Sequence, residues 1–284
     1  MERLLIIGCG DVATRALPQL VRKYRVSALV RDAEAAATLR GLGVSVLEGD
    51  LDRPATLRGL AADRVLHAAP PANAGATDIR TRNLLREMLA RHVVYLSTSA
   101  VYGDCRGELV DESRAPCPAN DRGHRRLDAE YALTAWSSER QASLTVLRVP
   151  GIYAADRLPL VRLRSGAPVL RSEEDVYTNH IHADDLAATC VVALERDDVA
   201  GTFNACDDTE MKAGDWLDLV AERFGIARPA RVSRAEAQAA LSPVQLSFLS
   251  ESRRLVNRRL KERLGVVLQY PTVREGVPRA VLAA

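Results

Sequence analysis

Residues 4–13, LLIIGCGDVA, set four consecutive apolar side chains against Gly8 and Gly10 and then open what reads as a helix. An apolar run without alternation suits a strand buried on both faces, as in a parallel sheet covered by crossover helices. Gly8 permits a tight turn, and Gly10 lets a phosphate approach the backbone. The helix from about Asp11 then offers the N–H groups of Asp11 and Val12, and its positive dipole end, to a pyrophosphate. Ala13 stands where the G-x-G-x-x-G fingerprint has its third glycine, a replacement that the pattern tolerates. Alone the motif is weak, and its competitor is an ordinary strand-to-helix turn. Pro18 falls inside the expected helix, lacks an N–H and crowds the carbonyl of Thr14, which predicts a kink or an early break.

The next hundred residues give the motif its context. After Tyr24, RVSALVRD reads as a second strand ending at Arg31 and Asp32. In a nucleotide-binding unit this end meets the adenosine ribose, where an acid accepts from the 2′-OH and an arginine favours the 2′-phosphate of NADP. Arg31 comes first, which favours NADP and leaves NAD possible; the alternative is an exposed charged pair at a strand end. A helix over 33–42 leads to a third strand, VSVLEGDL, ending in Asp50 and Leu51. After a further short helix, RVLHAAPP supplies a fourth strand running into Ala68, Ala69 and Pro70. A helix over 78–91, with Leu84, Leu85, Met88 and Leu89 at helical spacing, precedes a fifth strand, HVVYLSTSAVYGD. This alternation predicts an α/β fold, a Rossmann-type doubly wound parallel sheet over residues 1–150. Residues 151–284 are expected to form a smaller α/β substrate lobe, with 184–204 returning to the sheet. A dinucleotide in such a sheet would meet Gly8, Gly10, Asp11, Val12, Arg31, Asp50, Leu51, Ala68, Ala69 and Pro70.

Composition narrows the partners. A formal charge of +2 gives no argument for nucleic acid or membrane binding. No run approaches a membrane span, and the N-terminus lacks a basic region followed by a long apolar core, so a cytoplasmic protein is expected. The five cysteines are odd in number and form no C-x-x-C pair, which reads as reduced thiols. The expected partner is a small-molecule substrate, with the chain a monomer or a homodimer.

Ser97, Thr98, Ser99 and Tyr102 crowd the carboxyl end of the fifth strand, where open α/β sheets bind ligands. STSAVYGD resembles the corresponding segment of the extended short-chain dehydrogenase/reductase family, which includes NAD-dependent epimerases and dehydratases. LVDESRAPCPAN, LRVPGIYAADR, NHIHADDLA, GTFNACDD and SESRRLVNRRLKERLGVVLQYPTVREGV resemble later segments of that family in the same order. The resemblance implies an NAD(P)-dependent oxidoreductase or epimerase acting on a small substrate, anionic or sugar-nucleotide-like. It also implies a Tyr-x-x-x-Lys pair on the helix after the fifth strand, with a Ser or Thr holding the substrate oxygen. Thr98 matches the latter. Aligned by Pro118 and Glu130, the pair is here Arg122 and Arg126, so the chain resembles an atypical member.

Arg122 and Arg126 are four residues apart and share a face if both are helical. Guanidiniums aimed into the cleft would suit an anionic substrate or the cofactor's phosphates. Arg126 could also grip the nicotinamide ribose as the lysine does. Neither can act as an acid or base, a role that contributes about 10²–10⁴-fold. This keeps open a second class of function, a non-catalytic NADP sensor. The competing structural account pairs Arg126 with Glu130 on a solvated face and leaves Arg122 in a loop. Substitute proton carriers would be Tyr102, Tyr131, Tyr153, His67 and His124. Asp184 and Asp185 are placed to cap the helix LAATCVVAL. His180 and His182 form too sparse a set for a metal, and no metal is expected. Cys9 lies near a helix N-terminus, where thiolates are stabilised, though a buried filler is the simpler account. Trp216 reads as core of the second lobe, and Gly265 as a helix C-terminal cap.

Overall fold

In the computed structural model, which describes residues 1–279, the N-terminal apolar run is β1 (Arg3–Ile7). Six further strands join it: β2 (Arg25–Val30), β3 (Ser45–Glu48), β4 (Arg64–His67), β5 (His92–Thr98), β6 (Ser143–Val149) and β7 (Gly201–Asn204). They form one sheet in the order β7-β6-β5-β4-β1-β2-β3, with every pairing parallel. This is the doubly wound Rossmann order, and its direction reverses between β1 and β4, where such sheets bind ligands.

Side-chain alternation along β1 divides the core. Leu4 and Ile6 pack on one face with α1 (Asp11–Lys23), α2 (Ala33–Gly41) and α5 (Ala183–Glu195). Leu5 and Ile7 pack on the other with α3 (Ile79–Glu87) and α4 (Asp121–Arg140). Leu260 and Leu264, far along the chain, return to the first face. Smaller apolar clusters form beyond β6. One gathers Tyr153, Leu163, Leu217 and Val220 around α6 (Ala213–Arg223), and another gathers Leu170, Val176, Ala237 and Leu249. Among the described residues no helix is long and apolar enough to cross a membrane, and all five cysteines are free.

Several local expectations need correction. Pro18 does not break α1, which runs on to Lys23 because Ala16, Leu17 and Leu20 on both sides of the proline are buried against the sheet. The helix expected over 78–91 stops at Glu87. Met88–Leu89 instead pairs in parallel with Leu60–Ala61, as the chain must straighten before β5 begins. Only a 3-10 turn, Pro54–Thr56, and that two-residue strand stand where a short helix was expected before β4. Asp184 and Asp185 do not cap α5. His182 does, its Nδ1 accepting from the Asp184 N–H, while the Asp185 carboxylate accepts the Gln269 and Tyr270 N–H groups at 2.6 and 2.9 Å. Gly265 adopts φ +81 just past a short helix, Arg258–Glu262.

A buried polar network fixes α4 against the sheet. Glu130 accepts from Arg148 on β6 at 2.7 Å and from the Ser97 hydroxyl on β5. The Arg148 guanidinium lies over the Tyr102 ring at 4.7 Å, and the Tyr102 hydroxyl donates to Asn204 on β7 at 2.8 Å.

Candidate functional site

At the carboxyl end of β1 the chain turns through Gly8 with φ +86. A Cβ there would lie 2.4 Å from the Ala69 nitrogen, so only glycine lets this turn close against the segment after β4. Gly10 is different. A Cβ on it would meet nothing within 4 Å, so its bare backbone faces open space. Gly10 is also the N-cap of α1 and supplies no side-chain cap, which leaves the helix's first N–H groups free for a ligand.

Two cavities meet at Gly8. One, of about 190 Å³, is lined by Gly8, Gly10, Asp11, Val12, Ala68 and Arg126. The other, of about 140 Å³, is lined by Gly8, Arg31, Asp50, Leu51, Ala69 and Pro70. Every residue named from sequence as a dinucleotide contact thus lines one of the two. A glycine backbone opening on the first cavity, an uncapped helix N-terminus and an arginine in the second fit a dinucleotide phosphate. Asp32 is turned away from both, its carboxylate capping α2 through the Ala35 N–H at 2.8 Å. Arg80, which carries no sequence signal of its own, joins Arg31 in the second cavity and holds Asp52 with two hydrogen bonds of 2.6 and 2.8 Å. Hydrogen bonds from Arg157 and Arg15 outweigh burial at Asp11 and hold its carboxyl below its usual range.

A larger cavity, of about 440 Å³, opens beyond the ends of β5 and β6. Thr98 lines it and also caps the following turn, its Oγ1 accepting from the Ala100 N–H. Arg122 and Arg126 line it too, and both are helical. The competing account of them is therefore wrong on two counts: Arg122 sits in the first turn of α4 rather than a loop, and Glu130 is taken by Arg148 and Ser97. Arg126 donates to the Leu96 carbonyl at 2.9 Å and to the Tyr95 hydroxyl at 3.1 Å. It borders both this cavity and the one at Gly10. Arg122 stacks over the Phe248 ring at 4.7 Å. Burial, together with the like charges of Arg253, Arg125 and Arg126, pushes its guanidinium pKa down against the opposing pull of Glu251.

Gly123 lets the first turn of α4, which carries Arg122, lie close to the turn that follows Thr98. A Cβ at 123 would lie 2.8 Å from the Ala100 carbonyl oxygen and from the Pro118 Cβ, so glycine lets α4 start flat against the turn after β5. Asn120 caps that start, accepting from the Gly123 N–H at 2.9 Å and donating to Glu251 at 2.8 Å.

None of the five substitute proton carriers lines the cavity. Tyr102 is buried and donates to Asn204, and burial pushes its phenol up to about 12. Tyr153 lies in an aromatic cluster with His180, His182 and Trp216. His67 is hydrogen-bonded to Thr81 at 2.8 Å, and burial, with the charge of Arg126, pushes its pKa down to about 3. Tyr131 and His124 are exposed elsewhere. Cys9 lines neither cavity at Gly8, and burial raises its pKa, the opposite of an activated thiolate. Among the described residues no three His, Cys, Asp or Glu groups gather as metal ligands.

The cavity also holds residues that sequence reasoning did not single out: Arg125, Tyr177, Asn179, Glu251 and Arg253. Arg125 was visible between its two neighbours in RGHRR. The others carry no local signal and arrive only through the path of the chain beyond β6.

A sequence profile of the NAD dependent epimerase/dehydratase family matches residues 5–206. Among similar solved structures is a functionally unknown conserved protein from Silicibacter pomeroyi DSS, at 29% identity and TM-score 0.76, the match covering 97% of this chain and 96% of that one. MoeE5 in complex with UDP-glucose and NAD matches at 20% identity and TM-score 0.74, covering 96% and 95%. UDP-glucuronic acid 4-epimerase from Bacillus cereus in complex with NAD matches at 15% and TM-score 0.74, covering 98% and 96%. The last two likenesses are of fold alone. No curated protein matches the chain by sequence.

Proposed function

The chain belongs to the NAD-dependent epimerase/dehydratase family, and from that premise we propose that it is an NADP-preferring oxidoreductase or epimerase-like enzyme acting on a small substrate in the cavity beside Thr98. One observation carries the cofactor reading: Gly10 opens on empty space at an uncapped helix start, while Arg31 and not Asp32 faces the neighbouring cavity. In this reading the N–H groups at Asp11 and Val12 hold the pyrophosphate, Arg31 takes the 2′-phosphate, and Arg126 grips the nicotinamide ribose. A nicotinamide bound there supplies reversible hydride transfer. Thr98 orients the substrate oxygen and Arg122 supplies positive charge beside it. MoeE5 and the Bacillus cereus epimerase are both complexes with NAD, which supports a dinucleotide of this class. Arg31 is what argues for the extra phosphate. MoeE5's UDP-glucose supports a sugar-like substrate.

A second reading, a non-catalytic NADP sensor, is favoured by a specific feature. Neither Arg122 nor Arg126, at the places of the family's tyrosine and lysine, releases a proton at working pH. Calorimetric titration tests the shared part. NADPH is expected to bind about tenfold or more tighter than NADH, since a charge-assisted hydrogen bond contributes about 1.5–3 kcal/mol, and Arg31→Ala is expected to erase the difference. An NADH preference would overturn the role of Arg31, and failure of both to bind would overturn the cofactor reading. Turnover of a phosphorylated or nucleotide-linked sugar with NADPH then separates enzyme from sensor.

A further inference from the structure

Arg122, Arg125 and Arg126 occupy i, i+3 and i+4 on α4 and all line the cavity beside Thr98. Among the described residues none of the three has a carboxylate partner within ion-pair distance. Their contrast with other arginines is sharp: Arg15, Arg80, Arg82 and Arg148 are each paired with an acid. Arg126 donates only to neutral acceptors. Arg125 is 8% exposed, donates to the Gly75 carbonyl at 2.7 Å, and leaves its Nε unpartnered. The Arg122 guanidinium has no hydrogen-bond partner among the described residues and rests only over the Phe248 ring. The other two charged groups in the cavity wall, Glu251 and Arg253, pair with each other at 2.8 Å and cancel. Three positive charges therefore remain uncompensated.

Gathering three like charges around a buried Arg125, with Arg126 half-buried and Arg122 at the exposed mouth, is unfavourable without a counter-charge. The start of a 20-residue helix adds its positive dipole end to the same place. The rest of the wall is suited to hydroxyls, with Thr98, Ser99, Asn73 and Asn179 around it. Arg122 lines neither cavity at Gly8, so this charge is not there for the pyrophosphate or the 2′-phosphate of a dinucleotide.

We propose that the cavity beside Thr98 binds a small hydroxyl-bearing dianion, with Arg122 as its direct ligand and Arg125 and Arg126 as flanking charge. Phosphate monoester and dicarboxylate share this chemistry, because a guanidinium presents its donor fork to either. The inference rests on the reading that this cavity is the substrate side of the dinucleotide site.

Its test is calorimetry with glucose 6-phosphate, glucarate and glucose, in NADPH-saturated protein so that the dinucleotide phosphates are already in place, and again without NADPH. One or both dianions are expected to bind at least about tenfold tighter than glucose, consistent with a charge-assisted contact. Arg122→Gln is expected to remove that advantage while leaving NADPH affinity unchanged, and Arg122→Lys to restore part of it. Tighter binding of glucose 6-phosphate than of glucarate identifies phosphate as the group, and the reverse identifies the dicarboxylate. Equal affinity for glucose, no binding by any probe, or dianion binding indifferent to Arg122→Gln overturns the proposal. Arg122-dependent dianion binding in a chain that takes no NADPH would sink the cofactor reading and leave the anion site standing.

Discussion

Gly8 and Gly10 stand two residues apart and serve opposite needs. Gly8 is required by the fold, since its positive φ and its approach to Ala69 admit no side chain. Gly10 has room for one and leaves it unused. Both were legible in sequence because the turn they make is local. Asp207 was not. It is buried, its Oδ1 accepts the Thr209 N–H at 2.9 Å, and its Oδ2 has no partner among the described residues. Burial pushes its pKa up to about 7 from an ordinary value of about 3.9. A folded-state pKa above the unfolded one means that the native state holds the extra proton. Its stability contribution is present below pH about 4 and is lost as pH rises through about 7. Asp207→Asn should therefore raise Tm at pH 8 by several degrees, with the gap closing by pH 4. A gap equally large at both pH values would contradict this account. The three arginines show a different limit. Arg122 and Arg126 could be picked out by comparison with a family pattern, whereas Arg125 matters only because no acid stands near it, which spacing does not reveal.

At the scale of elements, local rules held where the chain was periodic and failed where packing overrode them. The proline rule predicted that α1 would break at Pro18, yet the buried face on both sides of it carries the helix through. The apolar spacing of 78–91 suited a helix, but Met88 and Leu89 were needed as a strand beside Leu60 and Ala61. Helix α4 is the element on which the site depends, because it carries all three unpaired arginines and is held by one buried ion pair. Glu130 and Arg148 are almost fully covered and 2.7 Å apart. Removing one partner of such a pair strands the other, so Glu130→Ala should lower unfolding free energy by about 3–5 kcal/mol in urea denaturation. Pairing it with Arg148→Met should recover much of that loss. A single variant as stable as wild type would show that the pair does not anchor α4.

In the whole molecule, the sheet order decides where chemistry is possible. The reversal between β1 and β4 places Gly8, Gly10 and Arg31 at the carboxyl edge of the sheet, and β5 adds Thr98 beside them. This half was readable because each strand, turn and helix is contiguous in the chain. The opposite wall was not, since Tyr177, Asn179, Glu251 and Arg253 come from segments far from α4 in sequence and carry no motif of their own. The dinucleotide at the Gly10 turn is the claim on which the substrate reading depends, and the geometry of Gly10 makes it separable from folding. Its φ of −87 suits any residue, and a Cβ there would meet no protein atom within 4 Å on a residue that borders the cavity. The decisive measurement is NADPH affinity, by calorimetry, for Gly10→Val alongside its Tm. The expected result is a Tm close to wild type with NADPH binding weakened by about tenfold or more, a loss of at least about 1.4 kcal/mol. A Gly10→Val protein that binds NADPH as tightly as wild type would contradict it.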